Sequence, residues 1–287
     1  MTAVRLLVAE GYPAGARARH RAAGGAEASE VYANLLRELH PGAVVDICYP
    51  ADPGANFPDA GLEGYDGAVF TGSTLNVYDG GPAVEAQITL ARAVLEAGTP
   101  VFGSCWGLQV LTVACGGAVH KNPKGREIGF ARAVRLTPAG ASHPMYRGKA
   151  EVFDAVTVHL DEVATLAPGT TVLARNEMSD VQAAEIRTRH ASVWATQYHP
   201  ELSLADMAVI VRRFGSMLVQ EGFFADDGAL ADFARELDTL DRNPGTKALA
   251  WRHGIDAAVL DRGIRVKEIA NWIAHQVLPT RARRGRG

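Results

Sequence analysis

Residues 101–110 read VFGSCWGLQV, with Cys105 two residues after Gly103 and two before Gly107. PVFGS (100–104) reads as a buried strand and LQVLTVA (108–114) as a buried helix. The two glycines allow a tight, strained turn between them without steric clash. In a strand–turn–helix context, a Gly-x-Cys-x-Gly string raises the central side chain above the strand end, beside the helix N-terminus. The free N–H groups and dipole there favour a thiolate and an oxyanion. The same cysteine also suits the role of a buried small hydrophobe, which free cysteines usually play, and the pentapeptide alone does not choose.

Working outward, VRLLVA (4–9), AVVDICY (43–49) and GAVFT (67–71) are further short apolar runs. Helix-length amphipathic segments separate them at 28–40 and 82–97, the second with Pro82 in its first turn and Gly98 just past its end. This alternation predicts an α/β fold with an open, mostly parallel central sheet flanked by helices. After Gly117, β-branched segments near 129–137, 150–158, 171–175, 181–187 and 192–197 read as added antiparallel strands and hairpins. A long helix is expected over 204–221. From Asp226 the pattern is helical without strands. The expected organisation is therefore a main domain over 1–224 and a helical extension over 225–280, packed on that domain or on a second copy as a homo-oligomer. A basic, disordered tail is expected over 281–287.

The chain has 287 residues, 47% hydrophobic and 21% charged, with a net charge of −3. That balance fits a globular protein and predicts no nucleic-acid partner; the four arginines of the RARRGRG tail supply charge without aromatic readout. Three cysteines without a C-x-x-C pair point to a reducing compartment. The first ten residues carry too short an apolar run for a secretory signal, and an apolar strand precedes the arginine-rich GARARHRAAGG, which argues against a transit peptide. Residues 101–119 lack charge over 19 positions, but four glycines, Ser104 and Gln109 make them strand, turn and helix rather than a membrane span. A cytoplasmic protein without metal or organic cofactor is expected.

A cysteine nucleophile needs a base, and the base an orienting group. An apolar strand runs into His199 in VWATQYHPEL (193–202), placing it at a strand end, where parallel sheets carry their sites. Glu201 lies two residues on and shares its face if extended geometry continues. GSCWG followed 94 positions later by QYHPE resembles the class I, triad-type glutamine amidotransferase family over residues 4–205. The resemblance implies Cys105 as nucleophile, His199 as base and Glu201 as its orienter. It implies oxyanion N–H donors at Gly72, in YDGAVFTGSTLNVYD (65–79), and at Trp106. It also places Gln109, Ser73 and His159 against the substrate. GREIG (125–129) and VHLDEV (158–163) are similar to strings of the guanylate-synthase branch, and the appended helices resemble the extension of stand-alone members. Two departures stand out: Ser73 and Thr74 follow Gly72, which puts loop mobility and substrate preference in doubt, and Trp106 changes the expected pocket wall.

The implied reaction is attack of Cys105 on a γ-carboxamide, giving a γ-glutamyl thioester and ammonia. The chain contains neither a phosphate-binding loop nor an SGG-x-D string, so ammonia would serve a separate synthetase partner. The leading expectation is a glutamine amidotransferase or glutaminase. The alternatives are a γ-glutamyl peptidase or hydrolase acting on another γ-glutamyl compound, and a non-catalytic regulator on the same fold.

Overall fold

The computed structural model describes residues 3–55 and 61–286. Its strands are β1 (Arg5–Ala9), β2 (Val44–Cys48), β3 (Gly67–Phe70), β4 (Val101–Ser104), β5 (Ala118–Lys121), β6 (Glu127–Leu136), β7 (Val152–His159), β8 (Asp161–Thr165), β9 (Thr170–Arg175), β10 (Ala183–Arg187) and β11 (Ser192–Thr196). Nine of them build one sheet in the order β2-β1-β3-β4-β11-β10-β9-β6-β7. The first five run parallel, and β10, β9, β6 and β7 continue the sheet antiparallel. β5 and β8 form a separate antiparallel pair that the apolar pattern did not signal. The chain thus adopts the α/β fold expected of it. One strand read as antiparallel decoration, β11, is the fifth parallel strand, pairing Ala195 with Gly103.

The two-residue side-chain period, with a core on each face, explains why the parallel strands are mostly apolar. Leu6 and Val8 of β1 point into one core with Tyr32 and Leu36 of the helix Ala28–Leu39. Leu7 and Ala9 point to the other face, with Leu90 and Val94 of the helix Pro82–Glu96 and with Trp106. A third cluster fills the antiparallel end, where Phe130 and Val156 meet Met207, Ile210 and Val211 of the helix Leu204–Phe214. The helix expected over 204–221 is broken in two: Gly215, at φ 45°, ends Leu204–Phe214 before Ser216–Gln220 begins. Glycine meets that positive φ without a Cβ penalty.

The helical extension docks on its own chain. Leu230, Leu237 and Leu240 of Asp227–Arg242 join the third cluster. Further on, Trp272 and Val277 enter the first core, against β3. A Cβ at Gly67 would lie 2.8 Å from the Trp272 ring, so β3 lets the indole in only because residue 67 is glycine. Beside it, Tyr198 donates from its hydroxyl to Glu268 Oε1 at 2.6 Å and pairs with the Tyr146 hydroxyl at 2.9 Å, while buried Lys149 forms an ion pair with the same carboxylate.

The C-terminal residues, expected to be disordered, are ordered through Arg286. Leu278–Arg283 is helical, and Arg281 Nη1 reaches the buried Asp66 carboxylate at 2.8 Å. Arg284 donates to the Tyr65 and Ala97 carbonyls at 2.8 and 2.7 Å. The physical reason is Asp66 at the foot of β3, a buried anion that draws a cation from the tail. Among the described residues no helix is long and apolar enough to cross a membrane. Replacing Asp66 with Asn removes the buried carboxylate that Arg281 and Arg286 both contact, and should cost about 3 kcal/mol. Calorimetry should show a melting temperature lower by roughly 6–12 °C; an unchanged value would mean the tail does not hold the fold.

Candidate active site

The turn after β4 is as tight as its glycines allow. Cys105 has φ 53° and ψ −105°, and with Ala133 it is one of two described non-glycine residues at positive φ. Such a conformation costs on the order of 1–3 kcal/mol and persists only where its surroundings enforce it. Here the Cys105 N–H donates to the Thr196 carbonyl of β11 at 2.8 Å. The helix Trp106–Ala114 starts directly above β3: a Cβ at Gly107 would lie 2.2 Å from the Phe70 carbonyl oxygen. Sγ of Cys105 points toward the Val158 carbonyl oxygen, 3.4 Å away on β7.

His199 leaves the end of β11 and is fixed twice. Its backbone N–H donates to the Val156 carbonyl at 2.8 Å, and its ring Nδ1 lies 2.6 Å from Glu201 Oε1. Glu201 is itself buried and accepts from the Ser104 and Tyr32 hydroxyls, each at 3.1 Å. The imidazole is thereby oriented, with Nε2 buried and carrying no hydrogen bond. Burial alone would lower the His199 pKa, but the Glu201 carboxylate and the Cys105 thiol outweigh it and raise it to about 10. Gly72 closes over the ring, since a Cβ there would lie 3.0 Å from His199 Cε1.

The remaining residues singled out from sequence divide by what they touch. The Ser73 hydroxyl donates to the Gly11 carbonyl at 2.8 Å and accepts from the Leu75 N–H at 3.2 Å, which pins the loop after Gly72. Gln109 lines the pocket and donates from Nε2 to the Asp161 carbonyl at 3.3 Å. His159 borders the same pocket, but its side chain is fully buried. Its ring nitrogens already contact the Asp161 carbonyl and Glu127 Oε2, at 3.0 and 2.9 Å. The Trp106 side chain is no pocket wall: it is buried and donates to Gln87 Oε1 at 2.7 Å. The indole instead packs in the second core, its Cδ1 2.9 Å from where a Cβ on Gly11 would lie.

Above Cys105 and His199 opens a cavity of about 270 Å³. Leu75, Leu160, Phe214 and Met217 are among its apolar lining residues. Charged and polar lining residues not singled out from sequence are Tyr12, Asn76, Arg126, Asp161 and Arg213. Asp161 and Arg126 fall inside the two quoted strings, so their proximity was available there. Tyr12 and Arg213 sit in segments without any motif, and only the fold brings them in. Asp161 accepts from the Tyr78 hydroxyl at 2.9 Å, and burial raises its pKa. Among the described residues no group of histidine, cysteine and carboxylate side chains is arranged to hold a metal.

Similar proteins fit this picture. Over 289 aligned residues the chain is 33% identical to the γ-glutamyl-L-1-hydroxyisopropylamide hydrolase of a Pseudomonas species, covering 99% of this chain and 97% of that protein. It is 28% identical over 176 residues to the glutamine-hydrolysing GMP synthase of Bordetella avium, covering 60% of this chain but only 30% of that enzyme. Among solved structures, a glutamine amidotransferase of Thermotoga maritima superposes with a TM-score of 0.61 at 20% identity, covering 87% of this chain and 97% of its own. One from Methylobacillus flagellatus gives 0.59 at 19% identity over 94% and 95%. These two share the fold. The family model for class-I glutamine amidotransferases matches residues 29–215, most of the chain, and with the Pseudomonas relative it establishes that the chain belongs to that family.

Proposed function

We propose that this protein hydrolyses a γ-glutamyl amide whose leaving nitrogen carries a small substituent, releasing glutamate and an amine. The observation that carries this reading is the cavity that Cys105 lines, whose lining includes the apolar side chains of Leu75, Leu160, Phe214 and Met217. Free ammonia as leaving group needs no such lining, whereas an alkyl substituent buries area against it. The full-length likeness to the Pseudomonas hydrolase, helical extension included, supports the same choice.

The raised basicity of His199 suits the imidazole to take the Cys105 proton as the sulfur attacks. The thiolate attacks the γ-carbonyl carbon, and an Sγ–C bond forms while the carbonyl electron pair moves onto oxygen. The N–H groups of Gly72 and Trp106 stabilise that oxyanion. As the C–N bond breaks, His199 gives its proton to the departing amine. Water then adds to the thioester and passes a proton to His199, and the C–S bond breaks to free glutamate. Glu201 holds the imidazole in the required tautomer throughout. At the amino-acid end, Gln109 and the desolvated Asp161 carboxylate suit a substrate ammonium.

A second reading is a glutaminase whose ammonia goes to a separate synthetase. It draws on the GMP synthase likeness, which is confined to part of that enzyme.

A substrate panel separates the readings. Purified protein should turn over γ-glutamyl alkylamides with kcat/KM about 10-fold or more above that for glutamine, since one methylene in an apolar pocket is worth that much. Preference for glutamine would favour the second reading. Cys105→Ala should lower either activity by at least about 10³-fold; equal activity in both proteins would remove Cys105 from the chemistry.

The pH dependence carries a sign. With the His199 pKa raised to about 10, the protonated imidazole is present below that value. Activity should therefore fall as pH rises through it. Glu201→Gln removes the carboxylate's raising influence and leaves that of Cys105 against burial, which lowers the pKa, so the alkaline limb should move to lower pH. A pH–rate profile between pH 6 and pH 11 measures this, and an alkaline limb that does not move would overturn the assignment of Glu201.

A further inference from the structure

One cation of the pocket has no anion beside it among the described residues. Arg213, near the end of Leu204–Phe214, is half-buried and lines the cavity that holds Cys105. Its guanidinium carbon lies 5.6 Å from the Tyr12 ring centroid and 5.1 Å from that of Phe214. Nη1 faces His20 Nδ1 at 3.3 Å. Burial, then the guanidinium itself, lower the His20 pKa, so the histidine accepts as a neutral ring. Two aromatic faces and a neutral imidazole hold the guanidinium in place, and none of them neutralises it. The pocket's other arginine differs: Arg126 is paired with Glu221 at 2.8 Å.

A fixed, partly desolvated guanidinium in a cleft with apolar walls attracts anions strongly, and its planar fork matches a carboxylate. We propose that Arg213 is a carboxylate-binding group of this site and supplies the charge complement to the substrate. The proposal rests on the reading of the pocket as a γ-glutamyl site. Two carboxylates have the required chemistry. One is the α-carboxylate of the glutamyl half, present on every such substrate. The other is a carboxylate on the amine half, present in a γ-glutamyl amino acid and absent from a γ-glutamyl alkanolamide.

Binding without turnover tests the idea. Calorimetry on Cys105→Ala protein would use γ-glutamylalanine and its alcohol analogue, in which a hydroxymethyl group replaces the alanine carboxylate. Adding Arg213→Gln should weaken binding about 10- to 100-fold, the range for a hydrogen-bonded charged group. Loss for both ligands places the α-carboxylate on Arg213, and loss for γ-glutamylalanine alone places the amine-half carboxylate there; either outcome supports the proposal. Arg213→Lys, which keeps the charge, should recover part of the affinity, and this separates lost charge from lost packing. Equal affinities with and without Arg213 overturn the proposal alone. No binding of either ligand to the Cys105→Ala parent overturns the γ-glutamyl reading as well.

Discussion

The start of the helix at Trp106 sits so close to β3 that a single methyl group on residue 107 would collide with the Phe70 carbonyl. Everything at the site follows from that approach. It sets the helix N-terminus against the sheet and forces the chain through the left-handed conformation at Cys105. The thiol is thereby raised above the strand end rather than buried below it. The neighbouring strand completes the arrangement, since the hydrogen bond from Cys105 to Thr196 ties the elbow to the segment that delivers His199. A strained residue can persist there because two layers of packed strands and helices hold both of its ends.

How much of this could be read from residues alone depended on where the signal lay. β1, β3 and β4 were legible because they are buried on both faces, which demands a nearly unbroken apolar run. The elbow was legible because backbone closeness leaves glycines behind. His199 and Glu201 were legible because they lie two residues apart just past an apolar strand. The strand geometry does not continue, since the chain bends after Thr196, yet the turn still brings Nδ1 to Oε1.

The rest was hidden for identifiable reasons. β5 and β8 bury few side chains, so their sequence carries little period. β11 alternates like any strand, and nothing in SVWAT tells which neighbours it takes. The tail looked solvated because its arginines are polar, but their partner, Asp66, lies more than 200 positions earlier. Trp106 seemed a wall of the pocket because it adjoins Cys105 in sequence, whereas its indole reaches Gln87. Tyr12 and Arg213 meet only through the fold, and no local pattern can announce such a pair.

The contact between Tyr198 and Glu268 gives the helical extension a stake in the chemistry. The residue beside His199 is gripped, from beneath the sheet, by a side chain some seventy positions further along. Sequence drift in the extension is therefore not free of the site, because any change that shifts Glu268 is felt one peptide unit from the imidazole. An extension borrowed from another family member would need its own partner for Tyr198, or a different residue before the histidine.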